Sequence, residues 1–426
     1  MDTKSKKSKA TRAFRNAMVG LMISLTLAVP SIGVQAATLS NVNQTTNNHG
    51  YLYVLNNNYN PKTGVRSGTV SVVSVKTNKV IATVHMGNRQ NATPTAITYG
   101  NGYVYVAMTG SHGCVNVIST KTDKVIATLN MGLSAITYLH GYVYALADID
   151  GLVRVINTKT NKVTATVKVG LSPSAIAYVN GNLYVANWES DTLSVIRAKT
   201  NKVIATLSVG GRPNGFVYGN GHLYVMNSDI DGSVSVINIK TNTVIATVQI
   251  GGGRPDAITY GDGYVYVVSL RTSAVSVIDA KTNTIIATLP VGVYPVAITY
   301  GNGYVYVVNE GNGVAHGAVS VIDTKTNHVK STVPVGVQPD QIAYLNGYIY
   351  VVNYLDKDTY VPTSGSVSVI NTKTNQVIAT VPVGYTPENL TDANKMNLTY
   401  YVGLDNREKT SMINSAEAVI CRYIWV

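Results

Sequence analysis

At 426 residues the chain has room for two or three ordinary domains or for one large repetitive one. Its formal charge of +12 is concentrated at the start: six basic residues and one acidic precede residue 37, and the remaining 27 basic and 20 acidic residues carry only +7, so anionic partners are favoured weakly. Two cysteines exclude a disulfide framework, and 29 Tyr against 2 Phe and 2 Trp tie the aromatic content to a recurring position rather than to a general core.

Residues 1–36 read as a secretory signal. Lys4, Lys6, Lys7, Lys9, Arg12 and Arg15 precede an apolar run from Ala17 to Val29, followed by Pro30 and the small-residue site Val34-Gln35-Ala36. The run is short of the ~20 residues that span a bilayer, and an uncleaved anchor is the other reading. The expected location is secreted, periplasmic or cell surface. The C-terminal AVICRYIWV is too short for a span and carries Arg422, so no transmembrane segment is expected after cleavage. Residues 37–50 form a polar leader. Export would put Cys114 and Cys421 in oxidising surroundings, where they form a disulfide or stay as two buried thiols.

From Tyr51 onward the chain repeats one unit, clearest from Ala257 to Gly292 as AITYGDGYVYVVSLRTSAVSVIDAKTNTIIATLPVG. Four strand-like runs follow one another in it: A (AITY), B (YVYVV), C (VSVID) and D (IIATL), with strict alternation in B and C. Gly261-Asp262-Gly263 and Lys281-Thr282-Asn283 supply the reversals. The Lys-Thr-Asn/Asp turn occurs eight times, from Lys76 to Lys373, at intervals near 40 residues. A four-stranded unit of that period cannot bury its faces alone and stacks on its copies as propeller blades. The expectation is an all-β chain, a β-propeller of four-stranded antiparallel blades, eight in number with seven or nine as alternatives. It makes one domain over 51–426 with a degenerate final repeat at about 388–426, where PENLTDANK is a worn A strand. That tail reads as a sheet-closing or capping piece.

The B strands end in Tyr-Val-x-Asn at Tyr53–Asn56, Tyr184–Asn187, Tyr224–Asn227, Tyr306–Asn309 and Tyr350–Asn353, and continue into VSVID-TKTN-KVIATVPVG-xxP. This pattern resembles the YVTN family of β-propeller repeat proteins, found in bacterial exported and archaeal surface-layer proteins, over roughly Tyr51 to Gly384. The resemblance implies the propeller and is nearly silent on function.

In a propeller the B–C and D–A loops share one face. The A–B and C–D turns here are monotonous, whereas the B–C loops vary, and variable loops on a rigid ring are where recognition is built. Candidates there are Arg66, Trp188, Glu189, Asp191, Arg271, Tyr354 and Tyr360, with Arg89, Arg212, Arg254 and Tyr294 from D–A loops. Arg212 and Arg254 stand in GGRPN and GGGRPD, where other copies have GLSPS or GVYPV. The set Arg89, Trp188, Arg212, Arg254 and Tyr294 suits an anionic or sugar-like ligand. Asp256, Asp340 and Glu388 are also on D–A loops, one to a blade, and name no reaction.

Asp148, Asp150, Asp229 and Asp231 form two DIDG loops that begin like calcium loops but lack the later ligands, and Asp-Gly is an ordinary turn pair. The seven His show no metal-ligand spacing, no Ser sits in a G-x-S-x-G elbow, and no cofactor motif is present. The Lys of the C–D turns would ring the opposite rim, where they deter edge-to-edge association or hold an anionic polymer. The expected function is an exported, non-enzymatic, monomeric binding or surface scaffold. Its partner would be a polysaccharide, teichoic acid, single-stranded nucleic acid or another envelope protein. A propeller enzyme of lyase, lactonase or quinone-dependent dehydrogenase type, with its site in the central channel, is the alternative.

Overall fold

Alternating Val, Tyr and Ile in the B and C runs put side chains on both faces of a pleated strand, and in the structure both faces are covered. Tyr184, Val185 and Ala186 of one B strand are all fully buried, as are Tyr266, Val267 and Val268 of another. The structure is a computed structural model. It describes residues 51–59, 66–87, 93–109, 113–131, 135–147, 150–251, 254–311, 316–355, 365–384 and 389–390. The signal-like segment, the leader, Arg89, Asp148, Tyr360, Glu388 and Cys421 lie outside them. Among the described residues every strand pairing is antiparallel and no helix occurs.

Each unit is a four-stranded sheet in the order A-B-C-D, as in Pro173–Val179, Asn182–Asn187, Thr192–Arg197 and Lys202–Ser208. Strand His328–Leu345 is 18 residues long and acts as D of one unit and A of the next, which merges two units into one seven-stranded sheet. The sheet of strand Tyr51–Tyr59 takes its inner strand from the far end of the sequence. Val54 pairs with Leu390 and Leu55 with Asn389. The A strands lie side by side in chain order, and Asn389–Leu390 touches both Thr93–Gly100 and His328–Leu345. The fold is propeller-like, as the repeat implied.

The motif residues turn out to be the joints between units. Tyr184, Tyr224 and Tyr266, all buried, donate their hydroxyls to Asn242, Asn283 and Asn327 in the C–D turn of the following unit, at 2.9, 3.1 and 2.7 Å. Those Asn sit at φ between 51° and 56°, a conformation Asn tolerates better than other side chains, which explains why the turn ends in Asn. Where a B strand carries the motif Asn, at Asn56, Asn187, Asn227, Asn309 and Asn353, that Asn is buried and ties strand C. Asn227 donates to Ser233 and Ser235 at 3.0 Å each, and Asn353 to Ser366 and Ser368 at 3.1 and 2.9 Å. Asn353 also accepts from the backbone of Gly336, where a Cβ would stand 2.5 Å from the amide carbon. The Gly of the VPVG loop is therefore required for close approach of the next unit. Gly384, after the last described D strand, makes the same approach to Asn56 of the first B strand.

D is the outer strand, and its solvent side shows it. Ile81, Ile126, Ile245 and Ile286 are about half exposed along unpaired edges. The Lys of the turns from Lys76 to Lys373 are all exposed. Cys114 is buried in a hydrophobic cluster with Val104, Val106 and Met108.

Candidate functional site

A short piece of each D–A loop builds the inner rim of the loop face. The residue before the proline sits in the left-handed region at Ser172, Arg212, Tyr294 and Gln338, with φ from 48° to 57°. The proline then opens the A strand. It pairs with the last residue of strand B, and the residue after it is skipped in the register: Pro213 pairs with Asn227 and Gly215 with Met226. The same bulge leaves Ser174, Asp256, Val296 and Asp340 unpaired in their units. A bulge redirects a side chain out of the sheet's alternation and is common beside functional sites. The residue following strand B closes the piece by donating its backbone N–H to the residue before the proline, as Trp188 does to Ser172, Ser228 to Arg212 and Glu310 to Tyr294, at 2.9, 3.0 and 2.9 Å. Three positions per unit thus face the rim, and the units differ in what they put there.

At Ser174 the side chain is used up locally. Its hydroxyl donates 2.7 Å to the carbonyl of Pro213 in the next unit, so a bulge side chain reaches towards the neighbouring bulge. Asn214 is fully buried, with its oxygen 2.9 Å from the Ser228 hydroxyl, which also lies 2.6 Å from the carbonyl of Pro255. Asp256 is only 8% exposed. Burial pushes its carboxyl up to about 7, helped by Asp340 and Glu310 and opposed by the Arg254 guanidinium. Glu310 is pushed to about 7 as well, by burial and then by Asp340. Asp340 is 3.4 Å from the Gln341 amide. Two of the D–A carboxylates that looked scattered in sequence, Asp256 and Asp340, therefore feel each other's charge. Asp256 and Asp340 share a field across the intervening unit, joined by Glu310, which sequence reasoning missed. The signal was available, since Glu310 directly follows a Tyr-Val-x-Asn strand, the slot that Trp188 fills in another unit.

The expected ligand set divides. Arg212 stacks its guanidinium 4.9 Å from the Trp188 ring centre, and its backbone N–H is held by Asp191 at 2.8 Å. Leu171, half exposed, is bonded to Ser190 beside them. Arg212 is exposed, so this pair presents a cation on an aromatic platform to solvent. Arg254 belongs instead to the acid group and offsets Asp256. Tyr294 is half exposed one unit further on. Of the calcium candidates, Asp150 pairs with Arg154 at 3.6 Å, Asp229 caps Gly232 at 2.8 Å, and Asp231 is exposed. Both paired carboxylates serve their own turns. Among the described residues no three His, Cys, Asp or Glu side chains are grouped for metal ligation.

No family model matches the chain, and no curated protein does. Solved structures do. Dihydro-heme d1 dehydrogenase NirN in complex with DHE is 13% identical with a TM-score of 0.63, over 82% of this chain and 76% of that one. The computationally designed Ika8 protein is 15% identical with a TM-score of 0.57, over 72% of this chain and 97% of that one. Hydrazine synthase of Kuenenia stuttgartiensis is 19% identical with a TM-score of 0.45, over 54% of this chain and 73% of that one. At such identities the first two likenesses bear on fold alone, and together with the repeated four-stranded sheets they identify the chain as propeller-like.

Proposed function

We propose that this protein is an exported eight-bladed β-propeller of the YVTN-repeat kind, closed by pairing of Asn389–Leu390 with the first B strand, that binds an anionic ligand on its loop face without catalysis. One observation carries the reading: polar departures from the repeat gather on one face, while on the other face the repeat's own Tyr and Asn are spent on each other between units, as at Tyr105–Asn161, Tyr184–Asn242, Tyr224–Asn283 and Tyr266–Asn327. Trp188, Arg212 and Asp191 are the core of the proposed site. An aromatic platform under an exposed guanidinium suits an acidic sugar, a teichoic acid phosphate or a single-stranded nucleic acid. Arg254 and Tyr294 flank it, and the protein works as a monomer.

The test is titration of acidic polysaccharide, teichoic acid and single-stranded DNA against wild type, Trp188→Ala, Arg212→Ala and a four-lysine variant of the C–D turns. Loss of affinity in the Trp188 and Arg212 variants with the lysine variant unchanged supports the reading. The reverse pattern transfers binding to the lysine rim, where affinity falls steeply with salt. A second reading, an enzyme of lyase or lactonase type in the channel, is favoured by two neighbouring carboxyls near 7, the range of a general acid or base at neutral pH. Turnover of an unsaturable uronate polymer or a lactone that disappears in Asp256→Asn would establish it; absence of turnover discards it.

A further inference from the structure

At the turn end of each sheet the last row of paired residues crosses all its strands, and the outer member of that row changes around the molecule. Counting units from the sheet of Tyr51–Tyr59, the row in the second is Gly100, Tyr103, Ser119 and Lys124, and in the third Leu139, Tyr142, Asn157 and Lys162. Lysine opens strand D in the first four units, at Lys79, Lys124, Lys162 and Lys202, whereas the next four open it with Thr243, Thr284, His328 and Gln376. The lysine that leads each C–D turn is common to all eight copies. Arg197, paired with Lys202, adds one more cation to the fourth unit. All these side chains are exposed.

The carboxylates sharpen the division. At the turn end of the first four units Asp123 is the one acidic side chain among the described residues, while Asp262, Asp279 and Asp323 stand at the turn end of the sixth and seventh. Lys330, the one lysine within the later D strands, donates to the Tyr304 hydroxyl at 2.7 Å and lies over that ring. The first four units thus carry a basic crescent, in which strand Lys79–His85 lies beside Lys124–Asn130 and Lys162–Lys168 beside Lys202–Ser208.

Neither the fold nor protection of strand edges accounts for the crescent. The sheets accept Thr, His and Gln at the same position, and the exposed isoleucines that need guarding recur on both sides, as Ile81 and Ile126 on one and Ile286 and Ile378 on the other. The face is also level. Its C–D turns close on the same backbone bond, Asn78 to Ser74, Asp123 to Ser119 and Asn201 to Arg197, each at 2.8 Å, and the long, variable loops all lie at the opposite end.

We propose that this crescent docks the protein on an anionic phospholipid bilayer, with the loop face turned away. A level face brings its lysines into the headgroup layer together, and each adds roughly fivefold to the partition coefficient. Lysine suits mobile headgroups, because its ammonium is a compact charge on a flexible stem with no planar fork to satisfy, in contrast to the arginines of the loop face. A single polyanion chain would meet these lysines only by following the rim, whereas a bilayer covers them at once. The docking surface shares no residue with the Trp188–Arg212 pair, so it stands or falls separately from the anion reading.

Flotation with vesicles of phosphatidylcholine, and of equimolar phosphatidylcholine and phosphatidylglycerol, reads the partition coefficient. Two variants separate position from net charge: Lys79→Gln/Lys124→Gln/Lys162→Gln/Lys202→Gln in the crescent, and Lys240→Gln/Lys281→Gln/Lys325→Gln/Lys373→Gln on the rest of the same face. Gln376 already occupies the crescent position in the eighth unit, so the fold tolerates the first set. The expected result is binding to the anionic vesicles alone, weakening as salt rises. Partitioning should fall at least about tenfold in the crescent variant and less than about threefold in the other. Absence of binding by wild type, or an equal fall in the two variants, overturns the proposal. So does release from the vesicles by inorganic polyphosphate carrying less phosphate than the phosphatidylglycerol present, which would make the partner a soluble polymer.

Discussion

The two faces of the molecule spend their polar groups differently. On the C–D turn face, Asn242, Asn283 and Asn327 each receive a tyrosine hydroxyl from the preceding unit, so the side chain that makes the turn also locks the sheets together. On the loop face, one bulge position carries Ser174, Asn214, Asp256, Val296 and Asp340 in successive units, and only some of these are spent on neighbours. A residue that recurs is held by the fold; a residue that departs at a position already satisfied by Val or Ser is free to answer to something else. Variants that treat the two faces alike would break the comparison, and variants that separate them sharpen it.

The largest effect is expected from the seam between first and last units. Deleting residues 389–426 removes the partner of Val54 and Leu55 and bares the edge of the first B strand. The shortened protein should melt at a lower temperature and self-associate, as thermal denaturation and light scattering would report. An unchanged, monodisperse melt would mean that the inner strand is not needed.

Next comes the joint itself. Tyr266 is fully buried and its hydroxyl is 2.7 Å from Asn327. Tyr266→Ala should cost about 3–5 kcal/mol in urea unfolding, from lost burial and the cavity left behind. Tyr266→Phe removes only the hydrogen bond and should cost about 1 kcal/mol. If the two costs were equal, the hydroxyl would carry the joint and the packing would not.

The third prediction inverts the sign. Asp256 holds its proton to about 7 in the folded chain, against about 3.9 for a free Asp. The folded state therefore binds more protons than the unfolded state between those values, and stability falls as pH rises from about 4 to 7. Glu310 acts in the same direction. Asp256→Asn should raise stability at pH 8 by roughly 2–4 kcal/mol, flatten the fall between pH 5 and 8, and change little at pH 4. Chemical denaturation at three pH values checks it, and a loss of stability at pH 8 would show the carboxylate to be structural.

Much of this architecture was legible in the sequence, and the reason is physical. Alternation in YVYVV and the near-40-residue return of Lys-Thr-Asn report local geometry that every unit shares, so the same signal arrives eight times. The site was only half legible. Arg212 announced itself by breaking the GLSPS pattern, and the structure sets it on Trp188. Asp256, Glu310 and Asp340 did not look like a group, because they come from three units and from two kinds of position, Asp256 and Asp340 at the bulge that skips the residue after the proline and Glu310 directly after a B strand. Strand alternation carries no hint of a bulge, while Pro followed by a polar residue at the head of an A strand does. The inner strand from Asn389–Leu390 was equally hidden, since a two-residue pairing has no periodicity to read.

The smallest effect is expected from the lysines of the turn face. Lys281 is exposed, and only its backbone N–H is engaged, 2.7 Å from Asp279. Replacing Lys76, Lys199, Lys281 and Lys373 with Ala should move stability by less than about 0.5 kcal/mol per site, because exposed substitutions away from packed or capping groups rarely do more. Their expected role lies beside the D strands, whose half-exposed Ile81, Ile245, Ile286 and Ile378 run along unpaired edges. Lysine near such an edge opposes pairing with another chain through charge repulsion and the cost of covering it. The four-lysine variant should therefore keep its melting temperature yet associate at a lower protein concentration, and at a lower salt penalty, than wild type. Sedimentation velocity across a concentration series reads this directly. A variant that remains monomeric throughout would remove the edge-guarding role and leave these lysines to the anionic polymers for which the rim competes with Arg212.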